Sequence, residues 1–423
     1  MRHLFDQYSQ PENRLTHALV SSLSQDPKLL RKFVRWSVGK KFSKSEKLNI
    51  IEQSYPGQEE VGEQEAERKG LPDAWIYSDD GWALLIESKV ACGISLDQLR
   101  RHANMARRRG FTKYQILVIN VDSTKKQLPR TVFNKTWKAI YQWGMSEADE
   151  SEWAGQFTSY LEIAEAKMAE QKYLKEGTLT KFSGIYFNAD RPYTYLEAKR
   201  ILGLLIEELK KDGVFLKKAG IDPKLPGRGA IKGTKGSYVW DFMRLKESRN
   251  AQSFTSYPHI TFGISAETAS AQITLPNGVK REIRDRILDG GYENFEQMIH
   301  TVLKRMEKAL KIDPSAKPTI RLQQRHYPSQ SAPAIEDAGL NFDLRTAFEK
   351  KGQPEKYQPL WLRAAYDVMT NKKANLQFQI VLMVHYGSSS VIGTPKVATL
   401  FKEAILGCRP LLDCALGRRE RLK

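Results

Sequence analysis

Cysteine is scarce, with only Cys92, Cys408 and Cys414 in 423 residues. Three thiols cannot build a disulfide framework, and the scarcity points to a reducing, cytoplasmic setting. Cys408 and Cys414 have no His pair beside them, and their spacing matches no common zinc module. All three read as small apolar residues. Long hydrophobic runs are also missing. The most apolar stretches, 82–86 and 380–384, fall far short of the roughly 20 residues that a spanning helix needs. The first ten residues, MRHLFDQYSQ, lack the apolar core of a signal peptide. No repeat of about 20–50 residues is visible. The glycine-rich stretch GRGAIKGTKG at 227–236 is not a nucleotide-binding loop, because Lys235 follows Thr234 where that loop needs glycine. No ATP-driven motor is expected in this chain.

Negative charge is the other deficit. Asp and Glu total 49 against 67 Lys and Arg, a net charge of +18. A surplus of that size suits a polyanionic partner, nucleic acid ahead of an anionic membrane surface. Apolar residues make up 41%, enough for globular cores. At about 100–200 residues per domain the length suggests two or three domains. A boundary is expected at Glu176-Gly177, dividing the chain into 1–176 and 177–423.

The first part reads as helix over 12–24 and basic helix over 29–53, with an acidic, strand-bearing stretch over 55–70. Strands follow at 74–77 and 82–87, then a helix at 95–109 and an apolar strand at 114–121. Further helices are expected near 131–144 and 151–174. The second part reads as α+β. Helices are expected at 195–211 and 295–310 and at the C-terminal end. Strands are expected at 238–245, 259–264, 271–275 and 377–384. The overall fold class is α/β.

Residues 70–89, GLPDAWIYSDDGWALLIESK, concentrate charge at strand ends. Asp73 heads one strand, Glu87 lies near the end of the next, and Lys89 follows. Side chains alternate along a strand, so Glu87 and Lys89 share a face. A three-residue loop, Asp79-Asp80-Gly81, with Gly81 left-handed, pairs Ala74 with Ile86 and sets Asp73 opposite Glu87. A two-residue turn slips the register and sends Asp73 to the other face. Asp-Gly at the loop's end favours the first. Two carboxylates about 4.5–5.5 Å apart at Cβ repel unless a cation lies between them or one is protonated. Mg²⁺ suits such a pair; it lowers the pKa of a bound water and screens a phosphodiester. Lys89 can then orient the water. The bland alternative is a surface hairpin with a Glu87–Lys89 ion pair. The apolar run 83–86 argues instead for a central strand, where such a triad is costly without purpose.

Pro72-Asp73 followed by Glu87-Ser88-Lys89 resembles the signature of the PD-(D/E)XK nuclease superfamily. The run from Glu12 to Leu19 is similar to the opening helix of many bacterial members. The run from Asp97 to His102 resembles the helix that carries a glutamine in several branches. The resemblance covers about residues 9–121; none is recognised for 177–423. It implies a restriction-endonuclease-like αβββαβ core. Asp73, Glu87 and the Ser88 backbone carbonyl would be metal ligands, with Glu12 a helix-borne ligand. Lys89 would be the catalytic lysine and Gln98 an active-site support. Mg²⁺ or Mn²⁺ would be the cofactor and DNA the substrate. Both Ser9–Glu12 and Ser95–Gln98 also spell capping boxes, which account for Glu12 and Gln98 without chemistry.

Arg100, Arg101, Arg107, Arg108 and Arg109 crowd one helix whose buried stripe is Leu96, Leu99, Ala103 and Ala106. They suit a phosphate track or a solvated face. Lys232 and Lys235, with Lys217, Lys218, Lys224 and Arg228, make a basic, glycine-rich loop that reads equally as a nucleic-acid clamp or a linker. His259 and His385 read as core histidines, and Tyr238 and Trp240 as core packing rather than base stacking. The expectation is a metal-dependent DNA endonuclease, with restriction or antiphage defence as a fold-level analogy. An RNA nuclease with the same triad stays open, as does an inert nucleic-acid-binding or assembly subunit. One metal site cuts one strand, so a homo-oligomer is expected, and a separate ATPase or activator subunit fits the missing motor.

Overall fold

The computed structural model describes residues 5, 8, 10–57, 70–90, 93, 95–122, 128–187, 192–228, 236–251, 253–329, 335–349, 352, 354–371 and 376–418. The protein is mixed α/β, with two sheets in two compact units, Met1–Lys181 and Phe182–Lys423. The division falls after Lys181 rather than after residue 176. Among the described residues no helix is long and apolar enough to cross a membrane.

The first unit begins with α1 (Pro11–Gln25) and α2 (Pro27–Val38). Pro11 opens α1, where a missing N–H costs nothing, and Leu15, Ala18, Leu19 and Leu23 form its buried stripe. Asp26 caps α2 through Lys28 and Leu29 N–H, both at 2.9 Å, and Gly39 at φ +75° ends it. The helix expected over 29–53 therefore stops at Val38. Its remainder is β1 (Leu48–Glu52), which pairs antiparallel with β2 (Ala74–Ser78). The strand expected within 55–70 lies largely outside the described residues. β3 (Trp82–Ser88), α3 (Leu96–Arg108), β4 (Lys113–Asn120) and β5 (Val132–Thr136) follow, then α4 (Trp137–Glu147) and α5 (Glu152–Glu170). Residues 132–136 are thus strand, not the start of a helix, because they pair in parallel with β4.

The sheet order is β1-β2-β3-β4-β5, antiparallel through β3 and parallel beyond it. Ala74, Ile76, Leu84 and Ile86 face a core shared with residues of α1, α2, α4 and α5. Trp75, Ala83, Leu85 and Val118 face Leu99 and Ala106 of α3. Strand β3 is covered on both faces, which explains its unbroken apolar run.

The second unit holds α6 (Tyr195–Lys210), α7 (Gly213–Ala219), β6 (Tyr238–Arg244), β7 (His259–Ser265) and β8 (Thr268–Leu275). These are followed by α8 (Arg281–Leu288), α9 (Gly291–Ile312), β9 (Lys317–His326), β10 (Ile335–Asp343), α10 (Leu360–Thr370), β11 (Leu376–His385), α11 (Lys396–Gly407) and α12 (Arg409–Ala415). Its six strands form an antiparallel sheet in the order β10-β9-β11-β8-β7-β6. Ile260, Phe262, Ile273, Ile320, Ile380 and Leu382 point inward, into a core shared with α6, α9 and α11. β9 and β10 escape a hydrophobicity reading because only alternate residues of β9 are apolar and β10 is mostly exposed. Cys408 is buried, and burial pushes its thiol up to about 12, as suits a packing residue. Cys92 lies outside the described residues.

Candidate active site

The hairpin of β2 and β3 sets the geometry. Gly81 adopts φ +80° and its N–H donates to the Ser78 carbonyl at 3.3 Å. The register runs Tyr77↔Ala83 to Ala74↔Ile86. This is the pairing of the three-residue loop, and the next step brings Asp73 opposite Glu87. The Asp73 Oδ2 accepts the Ser88 N–H at 2.6 Å, which ties the first carboxylate to the strand of the second.

Glu87 is buried and fully engaged. Its Oε1 meets Lys89 Nζ at 2.7 Å and accepts from Gln98 Nε2 at 2.5 Å. Its Oε2 lies 2.8 Å from His102 Nε2. Gln98 and His102 stand one turn apart on α3 and reach the same carboxylate. The Ser95 hydroxyl caps α3 through the Gln98 N–H, but the Gln98 side chain turns away from the cap to Glu87. The side-chain half of the expected capping box is therefore not made, and the Gln98 amide bonds Glu87 instead. His102 does not stand out as a site residue in the sequence; its place one turn after Gln98 is the available signal. Its Nδ1 is buried and makes no hydrogen bond among the described residues.

Glu12 sits in the first turn of α1 and accepts the Val90 N–H at 2.7 Å. The residue preceding α1 is Gln10, whose side chain does not cap the helix; Ser9, which would start the expected capping box, lies outside the described residues. β1 ends beside the same site. Gln53, at φ +44°, donates its N–H to the Asp73 carbonyl at 3.0 Å, and Glu52 Oε2 lies 2.7 Å from His17 Nδ1. Neither Glu52 nor Gln53 stands out in the sequence, because their relevance comes from pairing with β2.

The electrostatics divide the two carboxylates. Burial, then the charge of Glu87, raises the Asp73 carboxyl well above its usual range. Burial also pushes Glu87 upward, but the His102 hydrogen bond and the Lys89 charge outweigh it and hold Glu87 low. Lys89 is penalised by burial, yet Glu87, Asp73 and Glu12 together raise it, so it stays an ammonium. One ammonium thus faces three carboxyl groups, those of Glu87, Asp73 and Glu12. Among the described residues no three His, Cys, Asp or Glu side chains form a ready-made metal cage. The donor set fits a hard cation that takes a carboxylate pair and keeps several waters.

The arginines of α3 do not form one row. Arg101 Nη1 lies against Gly70, 3.7 Å from where a Cβ would stand. Arg100 and Arg107 line a separate cavity of about 690 Å³ floored by Leu99, Tyr114 and Ile116. Arg107 also lies over the Tyr114 ring at 5.2 Å, and Arg109 over Tyr55 at 4.0 Å. Arg108 is exposed. Lys232 and Lys235 lie outside the described residues. Lys217 and Lys218 belong to the last turn of α7 rather than to a loop.

No protein-family model, curated protein or solved structure matches the chain. Fold and site together define a mixed α/β protein with a buried carboxylate–lysine cluster where three strands and two helices converge.

Proposed function

We propose that the first unit is a metal-dependent DNA endonuclease of the restriction-endonuclease-like kind. The observation that carries the reading is the Asp73–Glu87–Lys89 cluster, two buried carboxyl groups beside a protonated lysine at the end of a buried strand. Among the described residues the order α1, α2, β1 to β3, α3, β4 supports it, since it runs in the αβββαβ sequence with α2 inserted after the first helix.

Asp73, Glu87 and the Ser88 carbonyl would hold Mg²⁺ or Mn²⁺, with Glu12 nearby on α1. Bound there, the cation supplies a lowered water pKa and charge for the phosphodiester. Lys89 is an ammonium, so it cannot take the water's proton; it orients the water and offsets charge developing on the phosphoryl oxygens. Gln98 and His102 fix the Glu87 carboxylate, leaving it little freedom to rotate. Arg101, whose guanidinium lies against Gly70, would contact a backbone phosphate. In the reaction, the water gives up a proton to solvent as its oxygen bonds to phosphorus, one P–O bond of the backbone breaks, and the departing oxygen takes a proton from solvent.

The test is cleavage of plasmid, linear duplex, single-stranded DNA and RNA with Mg²⁺, Mn²⁺ or EDTA. DNA cutting that needs the metal and falls about 10²–10³-fold in Lys89→Ala is expected, the usual cost of removing one charge-stabilising donor. Cutting that survives EDTA or the substitution would overturn the proposal. Preference for RNA would keep the chemistry and change the substrate.

A further inference from the structure

The six-stranded sheet of the second unit has one face against helices and another that carries a pocket. Alternation places Gln379, Thr274, Gln272 and Thr261 on the pocket's face, opposite Ile380, Ile273 and Ile260. All four are at least nine-tenths buried, at 4–5% exposure. They floor a cavity of about 350 Å³. Neutral hydrogen-bonding groups buried outside the apolar core need partners. Some find them in each other. Gln379 Nε2 donates to Thr274 Oγ1 at 3.1 Å, and the Thr274 and Thr261 hydroxyls are 3.0 Å apart. The Gln379 side-chain carbonyl, buried at the floor of the cavity, has no partner among the described residues.

The walls have a different chemistry. Tyr238 is 42% exposed, yet its hydroxyl is sunk onto the sheet. A Cβ at Gly263 would stand 1.9 Å from that hydroxyl, so glycine there lets the ring lie across the strand. Trp240, Phe242 and Phe254 continue as a stacked row, with ring centroids 6.1 and 4.6 Å apart, and the Arg228 guanidinium already lies over the Trp240 ring at 4.3 Å. The expectation that Tyr238 and Trp240 are core residues fails because the helices cover the other face. Across the cavity stands Arg321, its side chain with no hydrogen bond or ion pair to a described residue, and Arg325 lies beyond it. No Asp or Glu among the described residues lines the cavity.

We infer that this pocket binds a nucleotide unit: an aromatic base against Tyr238, its N–H donor on the Gln379 carbonyl, and its phosphate on Arg321. Aromatic walls offer stacking to any base, and an unpaired arginine offers a charge-assisted contact to phosphate. A carbonyl acceptor selects a base edge that presents an N–H. The volume is at the lower end of the roughly 300–1,000 Å³ of small-ligand sites, which suits one nucleotide and not a duplex. The chemistry is shared by a free nucleotide and by one residue of a single strand.

The experiment is calorimetric titration of the full chain in EDTA with the four nucleoside 5′-monophosphates, short single-stranded oligonucleotides, and inorganic phosphate. At least one nucleotide or oligonucleotide binds, and Arg321→Ala weakens it tenfold or more. The Arg321 side chain makes no bond that the fold needs, so this variant keeps the wild-type melting temperature. Gln379→Leu weakens binding and levels the preference among bases. Equal affinity for monomer and strand identifies a free nucleotide; affinity found only with the strand identifies single-stranded nucleic acid; either supports the inference. No binding by any of them, phosphate alone binding as tightly, or Arg321→Ala binding like wild type would overturn it.

Discussion

Strand β3 in the first unit and the pocketed face of the six-stranded sheet in the second both bury polar side chains, and they satisfy them differently. On the sheet face the groups are neutral. Gln379, Thr274 and Thr261 bridge neighbouring strands by hydrogen bonds that change little with pH. At the end of β3 the groups are charged. Glu87 is held by Lys89, Gln98 and His102, while Asp73 accepts the Ser88 N–H and feels the Lys89 charge, and burial and the charge of Glu87 outweigh both. A neutral ladder can serve stability alone. A buried carboxylate pair works against it, and such sites persist where a function uses the strain.

The largest expected difference follows from removing that repulsion. Asp73→Asn should abolish metal-dependent cutting and, in EDTA at neutral pH, raise stability by about 1 kcal/mol. The sign follows from linkage. The folded value lies above the ordinary 3.8, so ionising Asp73 costs the folded state. That cost is absent below 3.8, grows as pH rises and is complete above the raised folded value. The stabilisation by Asn should therefore shrink to nothing in acid, which denaturant melts across pH would show. An equal gain at all pH values would mean that the pair does not repel.

His102→Ala should come next. Loss of a group that orients a ligating carboxylate typically lowers metal affinity or activity about 10–100-fold. His102→Gln should restore part of the loss if orientation is the role, and cleavage rates against metal concentration would measure both. The smallest effect belongs to the second unit. Thr274→Val breaks the neutral ladder and should cost about 1 kcal/mol, the same at every pH. A strong pH dependence there would erase the contrast between the two regions.

Local chemistry makes part of the site legible in the chain alone. Asp-Gly at 80–81 specifies the hairpin register, and the apolar run after Trp82 marks a central strand, so the two signals together place Asp73, Glu87 and Lys89 side by side. Gln98 is reachable from its helix, and His102 by the same spacing. What depends on tertiary partners is not legible. β1 reads as helix until β2 is beside it, and β5 until β4 is. Alternation in β6 shows that Tyr238 and Trp240 share a face, but not which face the helices cover. In β9, Ile320 and Leu322 alternate with Arg321, Gln323 and Arg325, a period-two signal diluted by its polar half.

The central claim is that the charge around Asp73 and Glu87 is completed by a divalent cation. Thermal melting of the full chain with Mn²⁺ or EDTA, for wild type and Asp73→Asn, tests it most directly. A ligand at a hundredfold excess over its Kd stabilises by about 2.7 kcal/mol, so wild type should melt measurably higher with Mn²⁺, and Asp73→Asn should not move. No shift in wild type, or the same shift in both proteins, would contradict the account.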